Sequence, residues 1–184
     1  VAIMGSFASA QNLNMPSGMA TWTAGVEFTP GSSVFYDNGG PAGAYSASFG
    51  GTVMICPAAP LCTQQTPGTV SLTFTAFEFE LACDGCTPWD ALGINGDAVA
   101  ANNGVYGSSI TAGITTATDV PASVSTGAAL NALKASTGGR TKAMTANKTF
   151  TSAPGGCLTV IFGSDSFGQF AGFAANMNAV APTG

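Results

Sequence analysis

Apolar and polar residues alternate along this chain in short runs, and the clearest is VSLTFTAFEFEL at 70–81. Leu72 and Phe74 fall on even positions, then Phe77, Phe79 and Leu81 on odd ones. Side chains alternate with period two in a strand, so this change of parity predicts a bulge or bend near Thr75-Ala76. It also places Glu78 and Glu80 on one face, opposite the two later phenylalanines. Further strands are predicted at GTVMICP (51–57), WDALGING (89–96) and CLTVIFGSDS (157–166). In GFAANMNAV (172–180), Phe173, Ala175 and Met177 point to one side. FYDNGGPAGAYS (35–46) reads as loop, built on Asn38-Gly39-Gly40 and Pro41. TGAALNALKAS (126–136) predicts one short helix, capped by Thr126, with Leu130 and Leu133 inward.

Short strands separated by Gly/Pro turns, with little helix, predict an all-β antiparallel sandwich. Its expected core holds Leu72, Phe74, Phe77, Phe79, Leu158, Val160, Phe162 and Phe173. Residues 1–34 lie outside this pattern and read as an extended N-terminal arm, with TWTAGVEF (21–28) as its strand. The domain proper is expected at 35–184, with an insertion at about 98–128.

The chain has 184 residues, 46% hydrophobic, enough for one domain with a real core. Charged residues are only 7%, against about 25% in ordinary soluble domains. A surface so poor in charge repels its neighbours little. The net charge of −5 argues against nucleic acid, which needs a basic face. No run approaches the roughly 18 apolar residues of a membrane span. Ala8-Ser9-Ala10 matches the small-x-small pattern of a secretion-signal cleavage site, without an initiator methionine or a basic segment before it. Either the match is fortuitous or the segment is retained and held in place.

Five cysteines are present, and export makes disulfides plausible. The local pairings are Cys56 with Cys62 and Cys83 with Cys86, leaving Cys157 free, although connectivity does not follow from sequence. A lone Cys83-x-x-Cys86 with no histidine in the chain is a poor zinc site. The lack of histidine also excludes Ser-His and Cys-His nucleophiles. Glu78 and Glu80 on one strand face do not form the cleft that a glycosidase pair requires. No enzyme activity is therefore expected. Trp22, Trp89, Tyr36, Tyr45 and Tyr106 are candidates for a sugar-stacking platform, against the commoner role of aromatics as core.

Three segments in order, VSLTFTAFEFE, WDALGINGD and CLTVIFGSDSFGQFAGFAANMNAV, resemble the CUB domain. Phe74, Phe77 and Glu80 match the strand ending in Phe-x-x-Phe-x-x-Glu. Asp90 and Gly96 match the following strand and turn. Ser164, Asp165, Gly172 and Phe173 match the closing Ser-Asp turn and last strand. The likeness covers roughly residues 35–181. The cysteine pattern departs from the animal form, so the family's disulfides do not carry over. The resemblance implies a jelly-roll sandwich outside the cell and a calcium ion held by Glu80, Asp90 and Asp165. Asn95 and Ser164 are candidates to complete the oxygen shell. Calcium takes six to eight oxygens, and three carboxylates converging without a counter-ion would repel.

Two functions of different class fit. The first is a structural subunit that self-assembles into a cell-surface or extracellular filament, with Val1, Ile3, Met4 and Phe7 of the arm packing on a neighbouring copy. The second is a calcium-dependent adhesion module for surface glycans or proteins.

Overall fold

A computed structural model describes residues 11–80, 89–107, 130 and 142–184. Among the described residues, ten strands form two five-stranded sheets that face each other across an apolar core. In chain order they are β1 (Gln11–Asn14), β2 (Gly18–Thr23), β3 (Ser33–Tyr36), β4 (Gly50–Cys56), β5 (Thr69–Glu78), β6 (Ala91–Asn95), β7 (Gly104–Tyr106), β8 (Lys148–Thr151), β9 (Leu158–Gly163) and β10 (Gly172–Val180). One sheet runs β1-β3-β10-β5-β8 and the other β2-β4-β9-β6-β7.

The sandwich is as expected, but its sheets are mixed. β1 adds to β3 in parallel, and β2 adds to β4 in parallel; the other pairings are antiparallel. This corrects the reading of residues 1–34 as an arm outside the domain. From Gln11 on, the chain supplies an edge strand to each of its own sheets, and Trp22 and Phe28 enter the core. Two short strands can each cover an edge that would otherwise be left open. Residues Val1, Ile3, Met4 and Phe7 lie outside the described region. Within the expected insertion at about 98–128, Gly104–Tyr106 forms β7 against β6, and the stretch from 108 on lies outside the described residues.

The parity change in β5 is a bulge. Phe74 pairs with Ala175 and Ala76 with Ala174 of β10, so Thr75 is the extra residue. It turns Leu72 and Phe74 on one side of the bulge, and Phe79 beyond it, into the same core. All three are buried, as are Leu158, Val160, Phe162 and Phe173, while Phe77 is partly buried against them. Fully burying such side chains contributes about 1.5–3 kcal/mol each.

Leu130 is the one described residue of the helix expected at 126–136; it is buried but does not join this core. With Ala91, Val105 and Ile161 it forms a second cluster on the outer face of the β2–β7 sheet. Leu133 falls outside the described residues. The outer face of the other sheet, its positions exposed or half-buried, is of a different character. Register aligns Asn12, Val34, Asn176, Thr73 and Thr149 in one row across its five strands. The neighbouring rows hold Asn14, Tyr36, Ala174 and Ala76 on one side and Asn178, Ser71 and Thr151 on the other. None of these twelve side chains is charged; Glu78 stands beyond them at the end of β5.

One disulfide joins Cys56 to Cys157, and Cys62 is free and exposed. The expected Cys56–Cys62 pair is thus wrong. β4 and β9 are antiparallel with Ile55 opposite Leu158, which brings the next residues, Cys56 and Cys157, face to face with Cα atoms 4.2 Å apart. Cys83 and Cys86 lie outside the described residues.

Candidate metal centre

β6 and β9 are antiparallel with Ala91 opposite Gly163. The residue before β6 and the residues after β9 therefore meet at one end of the sandwich. Those residues are Asp90 and Asp165. In the facing sheet, Glu78 of β5 pairs with Gly172 of β10, and the chain runs on from there to Glu80. Both sheets thus deliver a carboxylate to one place. Glu80, Asp90 and Asp165 each offer an oxygen, and these atoms lie within 4.8 Å of one another.

The three are held differently. Asp90 is fully buried. Its Oδ1 accepts the backbone N–H of Asp165 at 2.8 Å, and its Oδ2 accepts the hydroxyl of Tyr45. Tyr45 is itself buried, and its hydroxyl oxygen accepts the backbone N–H of Glu80 at 3.2 Å. This one side chain therefore links the two sheets through the segments that carry Glu80 and Asp90. Its ring packs edge-on against Phe79 and Phe162. Burial, and then the bond to Asp90 and its charge, push the Tyr45 phenol well above the ordinary range, so it stays a donor. Asp165 Oδ1 accepts the N–H of Phe167 at 2.8 Å, which folds the turn after β9.

Glu80 is the exception. Its Oε2 is buried and has no hydrogen-bond partner among the described residues. Burial first, then the charges of Asp165 and Asp90, raise its pKa. A buried acceptor left unpaired is costly, more so when it is charged. The loop after β9 closes on this carboxylate through Gly168. A Cβ there would sit 2.3 Å from Glu80 Cδ, and the backbone is left-handed at φ 64°. An orphaned carboxylate oxygen facing two more carboxylates is a seat that a cation fits. The cluster can hold a metal ion through hard oxygen ligands.

Of the two residues proposed to complete the shell, Asn95 lies away from the site and Ser164 adjoins it. Asn95 is at the opposite end of β6, paired with Thr159 rather than near Gly163, and its Oδ1 accepts the N–H of Gly96. It is five residue steps along the strand from Asp90, about 16 Å. Ser164 follows β9 directly and already holds two hydrogen-bond partners. Its hydroxyl donates to Ser46 O at 2.7 Å and accepts the N–H of Phe49 at 3.0 Å. It braces the turn that presents Asp165.

Tyr45 was the contributor that sequence alone missed as a site residue, because a tyrosine in a Gly/Ala loop gives no sign of its partner. The aromatic platform dissolves for the same reason. Trp22, Tyr45 and Tyr106 are buried in the core. Trp89 remains 48% exposed beside Asp90, and Phe167, two residues past Asp165, is 75% exposed.

Comparison with models of known protein families gives no match, and a search of curated proteins gives none either. The likeness to CUB domains accordingly stands on the residues quoted above. No helix among the described residues is long and apolar enough to cross a membrane.

Proposed function

We propose that this chain is a non-catalytic, extracellular, calcium-binding β-sandwich of CUB type that serves as a self-assembling structural subunit of a surface or extracellular filament. The observation that carries the calcium assignment is the convergence of Glu80, Asp90 and Asp165 around an unpaired buried oxygen. The ligands are all hard oxygens, with no imidazole in the chain. Zinc favours nitrogen and sulfur, and magnesium favours near-ideal octahedral geometry with retained water. Calcium accepts irregular seats assembled from separate loops. The Cys56–Cys157 disulfide suits an oxidising compartment.

Assembly is supported by the outer face of the β1–β8 sheet, where twelve aligned positions carry no charge. A second copy can approach such a face without burying an unpaired ion. Light scattering and electron microscopy of the purified chain, with calcium and with chelator, test this reading. Large particles or fibres in calcium support it, and a single-chain mass at all concentrations rejects it.

A second reading, a calcium-dependent adhesion module, is favoured by Trp89 and Phe167, both exposed, the first next to Asp90 and the second two residues past Asp165 in the chain. On that reading the protein stays monomeric, and Trp89→Ala weakens binding to a glycan array without affecting calcium uptake.

A further inference from the structure

β5 is longer than the strand that covers its outer edge. β8 pairs with Ser71 through Phe74 and stops at Lys148. Asn147, at φ 59°, turns the chain away after a last bond from its N–H to Phe74 O. Among the described residues, no strand pairs with Thr75 through Glu78 on that side, although β10 continues to pair on the other. A strand segment with one open edge is a template for another strand.

A cleft of about 250 Å³ lies beside this edge, lined by Phe74, Thr75, Ala76, Phe77 and the 144–146 loop. It is smaller than typical small-molecule sites of about 300–1,000 Å³, and its lining is uncharged. Phe77 and Met144 are partly buried against the core from it. Two threonines share this lining with phenylalanine, alanine and methionine, which suits uncharged side chains delivered by an extended peptide.

We infer that this open edge of β5 receives residues 1–10 of a second copy as an added strand. The inference rests on the self-assembly reading above and names its contact. The segment VAIMGSFASA has no charged side chain, and Val1, Ile3 and Phe7 fall on one face when it is extended. It joins the fold at Gln11 of β1, which is at the opposite edge of the same sheet from β8. Crossing four strand spacings within one chain takes about 19 Å, more than half of the roughly 33 Å that ten extended residues span. Too little is then left to lay Val1, Ile3 and Phe7 along the cleft. In a second copy the whole segment can lie there. Donor and acceptor sit on opposite edges of one sheet, so the contact is head-to-tail, and such contacts give open chains when they do not close.

The test uses the full-length chain with p-benzoylphenylalanine in place of Phe7, as an equal mixture of isotopically light and heavy protein in calcium. Irradiation and mass spectrometry then map the cross-links. The expected result is light–heavy products joining position 7 to residues 74–77 or Met144. A second variant, Ala146→Glu, puts a charge at the cleft on an exposed residue and is expected to reduce particle mass at least tenfold. Light–heavy products at another face, or Ala146→Glu particles of unchanged mass, overturn the cleft assignment and leave self-assembly standing. Products confined to single copies, together with a single-chain mass by light scattering, overturn both.

Discussion

Replacing Glu80 by glutamine separates a cation site from a merely acidic turn, because the two accounts predict opposite signs. The ligand oxygens of Glu80, Asp90 and Asp165 lie within 4.8 Å of one another. Two full charges at that distance repel by about 3 kcal/mol at an effective dielectric constant of about 20. Glu80 is only half-buried, so screening reduces its share to about 1–3 kcal/mol over both neighbours. Without metal, Glu80→Gln removes this repulsion and keeps the shape, so the variant is expected to equal or exceed the parent in stability. With metal the order reverses. At calcium 100-fold above Kd, binding stabilises the parent by about 2.7 kcal/mol. For a chain of this size that raises Tm by about 5–11 °C. If losing one of three charged ligands weakens binding about 100-fold, only about 0.4 kcal/mol, or about 1 °C, remains for the variant. Scanning calorimetry of both proteins in chelator and in calcium reads the four values. An equal calcium shift in both proteins, or a variant less stable than the parent in chelator, is the opposite of what a cation seat at Glu80 produces.

Three further outcomes are expected. In chelator, Tm falls as pH rises from about 4.3, the ordinary value for glutamate, because burial raises the folded-state pKa of Glu80 and of Asp37 and their ionisation then favours the unfolded chain; saturating calcium at pH 7 cancels the Glu80 share, and a Tm that climbs with pH in chelator contradicts this. Cys157→Ser opens a disulfide between residues 101 apart and lowers stability by about 4–5 kcal/mol in urea melts, whereas Cys62→Ser stays within about 0.5 kcal/mol of the parent. Gly172→Ala puts a Cβ 2.0 Å from Asp37 Oδ2 on a backbone at φ 76°, and is expected to cost at least about 2 kcal/mol in the same melts.

What the sequence disclosed was local in origin. The parity change at Thr75 was visible because a bulge acts on neighbouring residues of one strand, and the span of β10 followed from its own alternation. The three carboxylates were reached through the order of motifs, and the antiparallel register of β6 and β9 then explains why two of them meet. The errors share the opposite character. β1 and β2 pair in parallel with strands that follow them at a distance, and nothing in QNLN or GMATWT encodes a partner. Cys56 meets Cys157 through a register that only the folded sheet fixes. Asn95 looked close to Asp90 in sequence, but a strand carries five residues about 16 Å along its axis, from one end of the sandwich toward the other. Tyr45 joins two sheets through a hydroxyl whose partners are 35 and 45 positions away.

One calcium ion is expected to occupy the seat made by both sheets. Crystals grown in calcium, with diffraction collected at a wavelength where its anomalous signal is strong, test it most directly. The expected result is one anomalous peak about 2.3–2.6 Å from carboxylate oxygens of Glu80, Asp90 and Asp165 together. A well-ordered structure in saturating calcium with no peak there, or with its calcium elsewhere on the chain, contradicts it.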